Sequence, residues 1–362
     1  MILRPLIAFL WCACLFAQEE EKKPSSIDAS FFYGTILEHN KDIAHLITGH
    51  PIGTIVSYNR RTYGFNEWEA RYNYPDWGFS FVYQDLKNQY LGENYGVYGH
   101  LGFYFLNRKL MARIGQGVAV ASNPFDLDSN FRNSAYGTRL LSSTFVMLNY
   151  TQPNIIDRIG LQMGVSLVHY SNANVKAPNN STNSFTFNLG FNYQLDEEFP
   201  EYIPETKSHY SEPIKFNLVL RSGVNESDYV GLGQRSFLVV SSFIDKKINH
   251  KSSFQLGADF FFSKFLKDQI KYQSIAFPYF GVKGDEDWKR IGVFAGHELR
   301  FNKNALVTQF GYYVYYPYDF EGRTYIRAGL KRYFGKNIFG SITLKSHAAK
   351  AEAVEFGIGI RL

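Results

Sequence analysis

Residues 77–84, Trp-Gly-Phe-Ser-Phe-Val-Tyr-Gln, alternate aromatic side chains with small or polar ones. A two-residue period predicts a β-strand whose two faces meet different surroundings, because successive side chains point to opposite faces. Residues 97–105 and 254–262 repeat the pattern, and residues 354–362 carry it to the end of the chain. In a membrane barrel the apolar face meets lipid and the other face lines the lumen. The alternation therefore predicts an all-β fold.

The length of the segments favours a membrane barrel over a soluble sandwich. The candidate strands have about 10 to 13 residues, whereas soluble strands average about 5 or 6 and membrane-spanning strands need about 9 to 11. Tyrosines collect at segment ends, as in residues 312–318, which suits an interfacial aromatic girdle. We count seventeen segments along the sequence, among them 52–62, 270–284 and 304–316, but bacterial barrels have even strand numbers. We therefore expect an antiparallel transmembrane β-barrel of the bacterial outer-membrane type with about 14 strands, within a range of about 12 to 16.

The composition excludes several classes of protein. Of the 362 residues, 17% are aromatic and 45% hydrophobic, which is too apolar for a disordered chain. After residue 17 no apolar run approaches the ~20 residues that a membrane-spanning helix needs. The net charge of +5 is too small for a nucleic-acid footprint, so we expect no nucleic-acid partner.

The start of the chain predicts its destination. Residues 1–17 contain one basic residue, an apolar stretch and a final small residue before a charged run, the pattern of a secretory signal peptide. We assign residues 18–26 to a flexible periplasmic tail and residues 27–362 to one barrel in the bacterial outer membrane. The acidic, proline-containing stretch 196–212 is the longest connection, and it could be a domain boundary.

One predicted strand carries polar residues on its apolar face. Along residues 161–171 the apolar stripe continues into His169 and Ser171, and Asn183 occupies the same face of the next strand. A hairpin would bring Asn183 near His169. Polar residues that face lipid are costly and are candidates for function. Because a serine nucleophile needs a base and a group that orients the base, the pattern suggests acyl transfer. Ordinary interfacial residues at a barrel rim remain the alternative.

The run from His169 to Asn179, His-Tyr-Ser-Asn-Ala-Asn-Val-Lys-Ala-Pro-Asn, resembles the active-site stretch of the PagL outer-membrane lipid A 3-O-deacylases, an acyloxyacyl hydrolase family. The family pattern is His-x-Ser-Asn-Ala-Gly, then Pro-Asn, then Glu. The resemblance implies that His169 is the base, Ser171 the nucleophile and Asn179 an oxyanion donor. It also implies an ester hydrolase that removes a 3-hydroxyacyl chain from lipid A or a related acylated lipid, without a metal or cofactor.

Two positions depart from the family pattern. Asn183 stands where the family has Glu; an amide can still orient the imidazole, or a carboxylate such as Asp126 or Asp128 could replace it. Asn174 stands where the family has Gly, and we retain it as a second oxyanion candidate because the loop is rich in amide donors. The family fold is a small eight-stranded barrel, so the resemblance covers at best residues 27–200.

Two other interpretations of the whole chain stay open. The polar second face of the strands and the large expected strand number would suit a pore or a structural outer-membrane protein. A soluble secreted β-sandwich would show the same alternation with its polar side in water. The sequence does not predict the oligomeric state.

Overall fold

A computed structural model describes residues 24–206, 210, 212–348 and 350–362. Within these residues, sixteen antiparallel strands form two closed barrels of eight strands each. The predicted leader, residues 1–17, lies outside the described residues, as does most of the predicted tail. The first strand begins at Ser25, so the last residues assigned to the tail belong to the first barrel.

In each barrel, strands that are consecutive in the sequence are neighbours in the sheet. The first barrel consists of β1 (Ser25–Ile36), β2 (Ile52–Arg60), β3 (Asp76–Asp85), β4 (Glu93–Phe105), β5 (Leu110–Ala121), β6 (Leu140–Ile156), β7 (Ile159–Ser171) and β8 (Thr182–Gln194). The second consists of β9 (Lys215–Asn225), β10 (Arg235–Lys247), β11 (Ser252–Ser263), β12 (Arg290–Phe301), β13 (Asn304–Tyr315), β14 (Thr324–Phe334), β15 (Ile338–His347) and β16 (Lys350–Arg361). The connections include helices α1 (Glu67–Arg71) and α2 (Phe265–Ala276) and the short 3-10 helices Lys41–Leu46 and Pro278–Phe280.

The single barrel of about 14 strands expected over residues 27–362 is instead two barrels. β1 closes the first barrel by pairing with β8, and β9 closes the second by pairing with β16. The total of sixteen strands is the upper limit of the expected range. Alternation identifies strands and their faces, but it carries no signal for the point at which a sheet closes. The connection at 196–212, which could have been a domain boundary, lies between the two barrels.

One of the seventeen predicted strands is wrong, and its removal leaves the even number. Residues 270–284 were predicted as a strand, but they contain the end of α2 and the 3-10 helix Pro278–Phe280. In α2, Phe265, Leu266 and Ile270 are buried and pack with residues of the β13–β14 loop. A short aromatic-rich run fits a strand or a helix equally well, because periodicity separates them poorly at this length.

Side chains fill both lumens, and they include buried ion pairs. In the first barrel Arg113 pairs with Asp28 at 2.7 Å, and both side chains are buried. In the second, Arg327 lies between Asp259 at 2.8 Å and Glu355 at 2.5 Å. The interior of an eight-stranded barrel is only wide enough for side chains to fill. The large strand number that would have supported a water-filled pore is therefore absent from each barrel in the described part of the chain.

The outer surfaces of both barrels are apolar. Phe187 and Phe191 on β8 are 66% and 63% exposed, and Leu256 on β11 is 61% exposed. Their neighbours along each strand point inward and are buried or partly buried. This arrangement is typical of strands that face lipid. Among the described helices, none combines the length and the apolar character required to cross a bilayer.

Candidate active site

The outward face of β7 turns polar at its carboxyl end. Leu167 is exposed on this face, and His169 and Ser171 follow it at the two-residue period. Antiparallel pairing places Asn183 of β8 directly opposite His169. The Nδ1 atom of His169 lies 2.7 Å from the Oδ1 atom of Asn183. An amide oxygen only accepts hydrogen bonds, so Nδ1 carries the proton and Nε2 keeps the lone pair that a general base uses.

Ser171 ends β7 and is 5% exposed. Its hydroxyl donates to Oδ1 of Asn179 at 3.0 Å and accepts from the N–H of Ala173 at 2.8 Å. The N–H of Asn172 also donates to Oδ1 of Asn179, at 2.9 Å. The structure therefore places Asn179 and one main-chain donor beside the Ser171 oxygen. The Cα atoms of His169 and Ser171, two residues apart on one strand face, are about 6.5 to 7 Å apart.

Asn174, the second oxyanion candidate, is directed elsewhere. Its side-chain Nδ2 donates to the main-chain oxygen of Glu226 in the second barrel at 2.9 Å. Its N–H donates to Oδ1 of Asn172 at 3.0 Å. The structure thus places Asn174 with the second barrel rather than beside Ser171. The donor that lies next to Ser171 is the main chain of Ala173, which sequence reasoning did not single out.

Asp126, one of the two loop carboxylates considered as a substitute acid, contacts its own loop. Oδ1 of Asp126 accepts from the N–H of Asp128 at 3.1 Å and from the N–H and hydroxyl of Ser129, both at 2.9 Å. These hydrogen bonds lower the pKa of the Asp126 carboxyl from its ordinary value, and those from Ser129 contribute most. Asp126 therefore caps its own turn, and Asn183 is the group that meets His169. Among the described residues, no group of three His, Cys, Asp or Glu side chains is arranged to hold a metal ion.

A polar patch on the outward face adjoins the site, and sequence reasoning missed it. We define this patch as Gln116, Ser142 and Thr144. Ser142 and Thr144 of β6 lie opposite Ser171 and His169. The hydroxyl of Thr144 donates to Oε1 of Gln116 at 2.5 Å, and Nε2 of Gln116 donates to the Ser142 hydroxyl at 3.2 Å. The signal was present in the sequence, because the outward face of β6 turns from apolar to polar at the same end as β7.

Neighbouring loops hold the active-site loop, which we define as residues 172–181. From the β1–β2 loop, Nε2 of His39 lies 3.0 Å from the main-chain oxygen of Asn180. From the β5–β6 loop, the N–H of Gly137 donates to the main-chain oxygen of Pro178 at 2.7 Å. The approach at Gly137 is close enough that an added Cβ would lie 2.5 Å from the main-chain oxygen of Lys176. The loop is thus held on two sides by its own barrel.

Comparisons with known proteins divide the chain as the two barrels do. Residues 52–192 match the family model of the lipid A 3-O-deacylase PagL, and residues 214–362 match that of the acyloxyacyl hydrolase C-terminal domain. A search among curated proteins finds no match.

Solved structures similar to the chain include two mutants of Rhodopseudomonas blastica porin. One is 9% identical, covers 93% of this chain and 99% of the porin chain, and has a TM-score of 0.20. The other is 10% identical with the same coverage and a TM-score of 0.19. The family matches agree with the active-site resemblance, and the chain belongs to the PagL-like lipid A 3-O-deacylase (acyloxyacyl hydrolase) family.

Proposed function

We propose that this protein is an outer-membrane esterase that removes an ester-linked 3-hydroxyacyl chain from lipid A, with Ser171 as nucleophile and His169 as base. The observation that carries the proposal is the pairing of His169 with Asn183 on the outward face that Ser171 shares. An ester of a membrane lipid approaches such a face directly from the bilayer. The family matches support the same class of reaction.

The proposed acylation step uses the tautomer that Asn183 selects. The Ser171 hydroxyl, which donates to Oδ1 of Asn179 in the resting site, turns toward His169. Nε2 of His169 then takes the hydroxyl proton while Oγ attacks the ester carbonyl, which gives a tetrahedral oxyanion. The N–H of Ala173 lies beside Oγ and donates to this oxyanion. Asn179 presents Oδ1 to the Ser171 hydroxyl in the resting site, so its side chain turns before Nδ2 donates to the oxyanion as well. When the intermediate collapses, the sugar oxygen leaves with the proton that His169 carries. The acyl chain remains on Ser171.

Deacylation reverses these roles with water. Nε2 of His169 removes a proton from a water molecule that attacks the acyl-Ser171 carbonyl. Collapse of the second intermediate returns the proton to Oγ of Ser171 and releases the 3-hydroxy fatty acid. Asn183 holds the imidazole throughout, but it cannot offset the charge of the imidazolium as a carboxylate does. We therefore expect turnover slower than that of a Glu-containing relative.

Mass spectrometry of lipid A tests the proposal. Lipid A is incubated with purified, detergent-folded wild-type protein and with Ser171→Ala. We expect the loss of one hydroxyacyl mass with the wild type alone. The matched control is Ser166→Ala, which removes the same group from the lumen side of β7, where Ser166 is 2% exposed, and should retain activity.

Heat-modifiable migration on gels confirms that each variant is folded. A folded Ser171→Ala protein with wild-type activity refutes the assignment of the nucleophile. If the folded wild type leaves lipid A intact, lipid A is not its substrate, and a non-enzymatic barrel becomes the better description.

A further inference from the structure

The second barrel contacts the active-site loop of the first through the β9–β10 loop, residues 226–234. Asn174 and Glu226 form a reciprocal pair of hydrogen bonds across the two barrels. Nδ2 of Asn174 donates to the main-chain oxygen of Glu226 at 2.9 Å, and the N–H of Glu226 donates to the main-chain oxygen of Asn174 at 3.0 Å. One of these bonds joins main chain to main chain and the other uses a short side chain, which fixes the relative position of the loops more closely than contacts between long side chains.

The carboxylate of Glu226 forms a second bridge. Oε2 accepts from the N–H of Ala177 in the active-site loop at 3.1 Å, and Oε1 accepts from the N–H of Gly233 in its own loop at 2.9 Å. The side chain is buried, with 4% of the residue exposed. Nε2 of Gln234 adds a hydrogen bond to the main-chain oxygen of Val175 at 2.9 Å.

Hydrogen bonds from main-chain N–H groups compensate for the burial of the Glu226 carboxylate. Removing a carboxylate from water is costly unless charge-assisted hydrogen bonds compensate. In the described contacts of Glu226 the compensation comes from main-chain N–H groups of both barrels. The charge therefore holds the two loops together, and neither loop alone supplies both of its hydrogen bonds.

The segment that Glu226 holds carries the groups beside the nucleophile. Ala177 lies two residues before Asn179, and Asn174 follows Ala173, while Asn179 and Ala173 both contact the Ser171 oxygen. Oxyanion donors work only at a defined distance from the reacting oxygen. A displacement of about 1 Å at such a site can lower a rate by about a hundredfold.

We propose that Glu226 is a positioning residue through which the second barrel completes the active site of the first. This inference rests on the proposed function of Ser171. The second barrel then has a role in catalysis without contributing a group that touches the substrate. Loss of the Glu226 carboxylate should impair the reaction step, which depends on the oxyanion donors, and leave substrate binding on the outward face nearly unchanged.

The test compares Glu226→Ala and Glu226→Gln in the full chain. We expect kcat to fall by about tenfold or more in Glu226→Ala, within the range that small displacements produce, with KM changed by no more than about twofold. Glu226→Gln keeps one oxygen acceptor and should recover part of the loss. The matched control is Glu286→Gln, because Glu286 accepts from the N–H groups of Lys283 and Gly284 in another loop of the second barrel.

A measurement that does not depend on catalysis separates this inference from the proposed function. Lys176 is exposed in the active-site loop, so trypsin cleavage after Lys176 reports how firmly the loop is held. We expect faster cleavage in Glu226→Ala and wild-type cleavage in Glu286→Gln.

Three outcomes would contradict either the positioning role of Glu226 or the proposed esterase function. Wild-type kcat in Glu226→Ala overturns the positioning role, whether or not cleavage is faster. An equal loss of kcat in Glu286→Gln overturns it too, because any carboxylate of the second barrel would then have the same effect. A folded wild type without esterase activity overturns the proposed function, and the cleavage rates then show separately whether Glu226 holds the loop.

Discussion

Replacing Asn183 by Asp should make the esterase faster. The two side chains have the same shape, so one carboxylate oxygen can occupy the place of Oδ1, 2.7 Å from Nδ1 of His169. His169 is neutral before the reaction and positively charged in the transition state, when it holds the Ser171 proton. A negative charge opposite the ring therefore stabilises the transition state more than the ground state, and it lowers the barrier.

The size of the gain follows from the geometry. Two unit charges about 4 Å apart attract by about 4 kcal/mol at an effective dielectric constant of about 20. Each 1.4 kcal/mol or so corresponds to about a tenfold change in rate, which sets a ceiling near a thousandfold. The dipole of the Asn183 amide already supplies part of this attraction, so we expect an increase of about ten- to a hundredfold for Asn183→Asp. Asn183→Leu removes the acceptor and the selection of the tautomer, and it should lower the rate by about a hundredfold or more.

Initial rates of hydroxyacyl release from lipid A, measured by mass spectrometry, distinguish these outcomes. Asn192→Asp is the control, because it adds the same charge to β8 near the opposite end of the strand. It should leave the rate unchanged. The reasoning fails if Asn183→Leu, shown to be folded by its gel migration, hydrolyses lipid A as fast as the wild type. It also fails if folded Asn183→Asp is no faster than the wild type.

Three further predictions concern other parts of the structure. Gly137→Ala should lower kcat by about tenfold or more, because its Cβ would lie 2.5 Å from the main-chain oxygen of Lys176; kinetics with lipid A as substrate would show no change if the loop can yield. Thr144→Val, in the polar patch opposite His169, should raise KM by a few-fold because the Thr144 hydroxyl can no longer hydrogen-bond to the substrate. An unchanged KM would exclude a substrate contact at Thr144. Arg327→Leu leaves the charge of Asp259 buried without its partner, which should destabilise the protein by about 3 to 5 kcal/mol; a urea unfolding midpoint equal to that of the wild type would contradict this.

The alternation in the sequence identified the strands because each strand separates two different surroundings. The predicted segments 52–62 and 304–316, for example, coincide with β2 and β13 to within a few residues. The strand prediction for 270–284 was wrong because its aromatic residues suit either a strand or a helix. The packing of Phe265, at the start of α2, against residues of the β13–β14 loop favours the helix. That contact is tertiary, and no local pattern reports it.

The closure of the two sheets could not be predicted from the same signal. Pairing within a hairpin follows from sequence proximity, whereas β1 meets β8 through pairs such as Ser26 with Gln194. Such a long-range pair leaves no mark on the period of either strand. Two signs in the sequence pointed to the boundary. One was the proline-containing connection 196–212, and the other was the eight-stranded fold of the family that residues 27–200 resemble.

The candidate site shows the same division between local and long-range information. The pairing of His169 with Asn183 was predictable, since face parity and one hairpin bring them together. The resemblance implied Asn179 as an oxyanion donor. The structure places its Oδ1 3.0 Å from the Ser171 hydroxyl oxygen, and the donor role stays a prediction. The contribution of Glu226 was not predictable, because it depends on how one barrel lies against the other. A sequence reports the residues of a hairpin far better than those of a contact between domains.

The departure of Asn174 from the family's Gly gains a physical reason from that contact. Its φ angle is +62°, in the left-handed region that glycine adopts freely and that asparagine tolerates better than most residues. Asn174 therefore keeps the backbone shape that Gly gives the loop. It also adds a side-chain hydrogen bond to Glu226, which glycine cannot make. A single barrel has no partner for that amide, whereas a chain with two barrels does. The substitution is thus the one expected where the active-site loop must keep its turn and also bind a second barrel.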